Sequence, residues 1–165
     1  MSRRFVVGSV IPMVVALLMA GVVSLGLANP ASAAAPVAVG GNPAPADHGW
    51  CNNHRTFPWG GAPVRTVRLP SIGSNGTTHC LMQAGAQGNH VAALQRTLVN
   101  CYGQNTGGID GIWGSATTTA LRNAQRSAGV SVDGIYGPQT RNAFRWAVYL
   151  DGSFWDCVPY SQLGI

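Results

Sequence analysis

The chain has 165 residues, 46% of them hydrophobic and only 9% charged. Its ten basic residues are all Arg and its five acidic residues all Asp, a formal net charge of +5 at pH 7. So mild and scattered an excess excludes a nucleic-acid footprint, and the lack of any Glu or Lys narrows the acid–base chemistry open to the chain.

Ser2-Arg3-Arg4 is a short positive stretch, residues 5–28 are apolar apart from Gly, Ser and Pro12, and Ala31-Ser32-Ala33 has the small-x-small pattern of a signal-peptidase site. Together they predict a secretory signal peptide over residues 1–33, and no membrane association once it is removed. The rival is an uncleaved anchor, since the apolar run is long enough to span a bilayer. Residues 34–50, rich in Ala, Pro and Gly without a period, read as a flexible linker. The mature remainder keeps eight Arg against five Asp, a balance that suits an anionic surface such as a bacterial cell wall.

Residues 51–79 form a Cys-bounded segment punctuated by Gly and Pro. Residues 64–69 and 77–82 read as the strands of a short β-hairpin turning at Ser74-Asn75-Gly76. Asn75-Gly76-Thr77 also matches a glycosylation sequon, but the turn reading suffices. Cys51, Cys80, Cys101 and Cys157 are an even set in an exported chain, which predicts two disulfides. A metal site is the weaker reading, because there is no C-x-x-C pair and His48, His54, His79 and His90 lack ligand spacing.

From Asn89 the period becomes helical. Val91, Leu94, Leu98 and Cys101 share one face of a first helix that ends near Gly103. Thr117, Ala120, Leu121, Ala124 and Ala128 share a face of a second, with Gly129 as its stop. Pro138 opens a third, on which Thr140, Ala143, Phe144, Ala147 and Val148 face inward. A first helix of this length is about 18 Å long, and the eight steps from Cys80 to Gly88 reach about 26 Å when extended. That reach favours Cys80–Cys101 with Cys51–Cys157; the competing pattern is Cys51–Cys80 with Cys101–Cys157.

The second and third helices each follow almost the same string, "IDGIWGSAT" at 109–117 and "VDGIYGPQT" at 132–140. Asp110-Gly111 and Asp133-Gly134 predict tight turns, since Gly accepts positive φ and Asp can bond nearby amides. Ile112 and Ile135 are expected to plug the core beneath them, and Gly114 and Gly137 to release the chain into the next helix. This is a repeated D-G-I-x-G-x-x-T loop-helix unit, and the first helix reads as a degenerate copy without the turn.

The string from Gly85-x-x-Gly88 through Val91-x-x-Leu94-Gln95 to the two D-G motifs and Pro138-x-Thr140 resembles the peptidoglycan-binding domain type 1 family. The likeness covers residues 80–150 and leaves 151–165 as a tail; Ala124 stands where the family often has Phe. It implies a mainly α fold, a small three-helix bundle preceded by the hairpin. It also implies a secreted or wall-associated protein that holds peptidoglycan or another anionic wall polymer. A secreted wall enzyme is a second expected partner, because such modules usually sit beside a hydrolase.

No catalytic constellation accompanies the module. A glycosidase needs two carboxyls in one cleft, and Asp110 and Asp133 are taken by turns while Asp47 lies in the linker. Only Asp151 and Asp156 are left. A zinc peptidase would need an H-E-x-x-H-like cluster, which is absent. The expectation is a non-catalytic protein with no cofactor and no metal. The alternative is a disulfide-stapled interaction or inhibitor protein that keeps the bundle without glycan binding. Trp113 and Tyr136, at equivalent places after the two turns, are candidates for stacking on sugar rings, or else rim residues packed on the neighbouring helix. Arg122 with Arg126 and Arg141 with Arg145, spaced i,i+4, are candidates for meeting wall carboxylates or phosphates, or else solvated helix faces.

Overall fold

A computed structural model describes residues 48–165; the expected signal peptide and most of the linker lie outside the described residues. The elements run β1 (Gly49–Trp50), β2 (Asn53–Trp59), β3 (Arg65–Ser71), β4 (Cys80–Leu81), α1 (Asn89–Tyr102), α2 (Ser115–Ser127), α3 (Pro138–Ala143), β5 (Arg145–Leu150) and β6 (Ser153–Pro159). A 3-10 turn, Tyr160–Gln162, closes the chain. No helix among the described residues is long and apolar enough to cross a membrane.

The fold is α+β. Strand and helix account for 30% and 31% of the described residues, which overturns the mainly α, three-helix-bundle expectation. β2, β3, β5 and β6 form a four-stranded antiparallel sheet in that order, and β1 and β4 a short parallel pair. Three helices are present among the described residues, but α3 has only six residues. Phe144 turns extended (φ −80°, ψ 150°) and the chain continues as β5. The apolar run Trp146-Ala147-Val148-Tyr149 fits a helical face and a doubly buried strand equally well. All four residues are buried, and aromatic and β-branched content favours the strand. The Asp151-Gly152 turn completes the case. Both residues have positive φ, 50° and 81°, and they join β5 to β6 with Leu150 opposite Ser153, as in a two-residue hairpin.

The hairpin ahead of the helices also differs from expectation. β3 pairs with β2, Phe57 opposite Val67 and Trp59 opposite Arg65, and on its other side with β5. Residues 77–82 do not join it; Cys80 and Leu81 instead pair with Gly49 and Trp50. The disulfides are Cys51–Cys80 and Cys101–Cys157, which corrects the favoured Cys80–Cys101 pattern. The parallel β1–β4 pairing brings Cys51 beside Cys80, and the strand made by the tail carries Cys157 to the end of α1. Chain reach alone could not anticipate either approach, because both depend on strands pairing across the sequence.

α1 packs against all four strands of the sheet and against α2. Its buried face carries Val91, Leu94 and Leu98, and the same core includes Val67, Leu69, Trp146, Val158 and Leu163. The Cys-bounded segment and the tail therefore share one core with the helical units. Trp146, fully buried, meets Tyr136 edge-on at 6.1 Å and Phe144 at 6.4 Å, contacts of about 0.5–1.5 kcal/mol each beyond area burial.

Candidate functional site

The two D-G-I turns are held by one device written twice. Gln95 on α1 is fully buried. Its Nε2 donates to Asp110 Oδ1 (2.9 Å), Ile112 O (3.1 Å) and Thr117 Oγ1 (3.2 Å), and its Oε1 accepts from the Gly111 N–H at 2.8 Å. Gln125 on α2 does the same one unit later, to Asp133 (2.8 Å), Ile135 (3.0 Å) and Thr140 (3.1 Å), accepting from Gly134 N–H at 3.0 Å. Each Asp in turn accepts from the amide two residues on, at 2.9 Å. That amide and then the Gln95 amide hold the Asp110 carboxyl below its ordinary range. Gly111 and Gly134 have φ of 76° and 74°, a region costly for side chains with a Cβ. A Cβ on Gly111 would also lie 3.0 Å from Gly88 O.

Within each turn the apolar roles are the reverse of those expected. Ile112 and Ile135 point outward, 53% and 38% exposed, while Trp113 and Tyr136 are the core plugs at 3% and 0%. The pleat of the chain after Asp-Gly sends the second apolar residue inward rather than the first. Trp113 Nε1 donates to Thr118 Oγ1 at 2.9 Å. The Tyr136 hydroxyl is buried without a hydrogen-bond partner, and burial pushes it well above the ordinary phenol range. Neither ring has a free face to offer a sugar.

The arginines separate. Arg122 and Arg126 are exposed on α2, donating to Asp133 O (3.4 Å) and Asn123 Oδ1 (3.1 Å). Arg141 is 3% exposed, donates to Thr78 Oγ1 at 2.8 Å and lies 4.7 Å over the Tyr160 ring. Arg145, beyond the end of α3, sits on β5 and donates to Cys157 O. Arg141 and Arg145 therefore form no i,i+4 stripe. Gly114 and Gly137 sit at the N-termini of α2 and α3, as the turn reading required.

Segment 82–88 runs between the two turns and bridges both, Met82 to Tyr136 and Gln87 to Ile112. Beside it opens a cleft of about 440 Å³ whose wall includes Trp50, Asn52, Gln83, Gly85, Gln87 and His90. Sequence reasoning passed over these residues; the Gly85-x-x-Gly88 motif was the one available signal. His90 is 4% exposed and its Nδ1 has no hydrogen-bond partner. Burial, and then the charge of His54, lowers its pKa, so the imidazole is neutral at pH 7. No Asp, Glu, Lys or Arg lines the cleft, and Cys51 in its wall is tied in a disulfide. An indole, side-chain amides and a neutral imidazole suit a ligand rich in amides and hydroxyls. Among the described residues no cluster of His, Cys or Asp could hold a metal ion.

Residues 87–144 match the family described as "Putative peptidoglycan binding domain". Among solved structures, the SleB N-terminal domain is 42% identical over 38% of this chain and 84% of its own, with a TM-score of 0.35. A Burkholderia AP3 phage endolysin is 40% identical over 36% of this chain, with a TM-score of 0.34. A peptidoglycan-binding protein from Clostridioides difficile, in complex with glutamine hydroxamate, is 28% identical over 52% of this chain, with a TM-score of 0.39. The chain spans 22% of the endolysin and 53% of the C. difficile protein. Comparison with curated proteins yields no match.

Proposed function

Since the chain belongs, through residues 87–144, to the peptidoglycan-binding domain family, we propose that it is a secreted, non-catalytic protein that binds the bacterial cell wall. The family match carries this reading. The cleft along 82–88 is the proposed seat of the ligand: it adjoins the matched region, and amide and imidazole groups there are suited to acetamido sugars and peptide bonds. Two disulfides support export, and residues 1–33 supply the signal peptide in this proposal.

The non-catalytic part of the reading is supported by where the carboxylates lie. Asp110 and Asp133 are engaged in turns, Asp151 makes the β5–β6 turn, and Asp156 accepts from the Cys157 amide. None lines the cleft, whereas glycoside hydrolysis requires two carboxyls about one bond.

Spinning the purified mature protein with isolated sacculi tests the proposal. The expected result is protein in the pellet, with part of the binding lost at high salt because exposed arginines outside the cleft, Arg122 and Arg126, contribute, and a weaker pellet for Gln87→Ala. Folded protein left in the supernatant at low salt would refute it.

A further inference from the structure

Trp59 and Trp155, far apart in sequence and both outside the family match, come together around Arg65. Trp59 lies opposite Arg65 in the β2–β3 register, Arg65 opposite Leu150, and Leu150 opposite Ser153, so four strand ends align. The β5–β6 register then slips: Val148 faces Asp156 and Tyr149 faces Phe154. Trp155 is the residue left over, and such a bulge re-aims its side chain. The Arg65 guanidinium lies 4.7 Å from the Trp155 ring and 5.9 Å from the Trp59 ring. Trp59 is also tied to the end of the chain, its Nε1 donating to Gln162 O at 3.1 Å.

Trp155 remains 52% exposed although one face carries the cation. Arg65 makes no ion pair among the described residues, and its Nε is buried with no hydrogen-bond partner. Their neighbours in sequence, Phe154 and Val64, are 46% and 60% exposed. An indole with one open face, held rigid beside an unpaired guanidinium, is shaped for a ring with an apolar C–H face and an anionic edge. A carboxyl-bearing pyranose has both, and the guanidinium fork suits its carboxylate.

We propose that Trp155, Arg65 and Trp59 form a second wall contact that stacks one sugar of the peptidoglycan glycan strand on Trp155 and pairs a carboxylate with Arg65. This rests on the wall-binding reading above. A second copy of the chain fits less well, because the bulge interrupts edge β6 and Pro58 removes a donor from edge β2. A lipid surface is disfavoured because one face of the half-exposed indole is already occupied by a cation.

The experiment compares wild type, Trp155→Ala, Trp155→Phe and Arg65→Gln, with disulfides intact and melting curves confirming the fold. Each is titrated onto sacculi by co-sedimentation and run on a sizing column and with anionic phospholipid vesicles. Trp155→Ala and Arg65→Gln should each raise the apparent Kd about three- to tenfold, the scale of one aromatic contact, and Trp155→Phe should recover part of the loss. Wild type that fails to pellet overturns the wall-binding reading and this inference with it. Wild type that pellets while Trp155→Ala pellets equally overturns this inference alone. So does an effect of Trp155→Ala confined to dimerisation or to vesicle binding.

Discussion

Replacing Gln95 by Leu keeps most of the side-chain volume and removes every polar contact by which α1 holds the first turn. The buried Gly111 N–H would lose its acceptor and Ile112 O a donor, while Thr117 would keep its contact with Thr106 O at 3.3 Å. Asp110 stands at the surface, where water replaces most of what the amide supplied. A stranded buried donor costs about 1–3 kcal/mol and each further lost contact about 1, so the total is about 3 kcal/mol. At about 4 °C per kcal/mol for a domain of this size, Tm should fall by about 12 °C. Gln125→Leu removes the equivalent set from Asp133, Gly134, Ile135 and Thr140 and should cost a similar amount. Thermal melts followed by circular dichroism, with disulfides intact, measure both. A Gln95→Leu variant melting within about 2 °C of wild type would show that the clamp contributes nothing net, and the reasoning would fail.

Non-reducing peptide mapping should recover Cys51 linked to Cys80 and Cys101 linked to Cys157. Loops of 29 and 56 residues imply that opening the first costs about 3.6 kcal/mol and the second about 4.2, so Cys101→Ser with Cys157→Ser should lower stability more than the Cys51/Cys80 pair. A Cys80–Cys101 peptide would contradict the fold, and equal stabilities the loop-entropy argument. Stability should also depend on pH through His90, whose pKa is lowered by burial and by His54, and through His54, lowered by burial, Arg68 and Arg96. Each ring is neutral when folded and gains a proton more readily when unfolded, so the stability is fully present above the ordinary value of about 6.5 and declines as pH falls below it. Denaturant midpoints measured between pH 7.5 and 5 should drop, and His90→Gln should flatten that drop; an unchanged slope would refute the assignment.

What could be read from the sequence by itself is what is encoded over short stretches. The Asp-Gly turns at 110–111 and 133–134, the helix starts after Gly88, Gly114 and Gly137, and the stop at Gly103 each depend on a few neighbouring residues, whose backbone preferences act locally. The family was legible for the same reason, because its motif is made of those turns. That the first helix is a degenerate copy of the unit was visible too, but not that Gln95 and Gln125 would be buried acceptors for the turn glycines. Only the tertiary structure decided which apolar residue of each turn goes inward. Trp113 and Tyr136 won over Ile112 and Ile135 because the larger rings fill the space beneath the turns. It also decided that 145–150 would be strand, since a run buried on both faces has no period of its own and becomes strand only where β3 and β6 supply its hydrogen-bond partners. The disulfide pattern, the cleft beside segment 82–88 and the meeting of Trp59 with Trp155 follow from strand register. Register joins residues far apart in the chain, and its energy comes from burying a shared core that no local window contains.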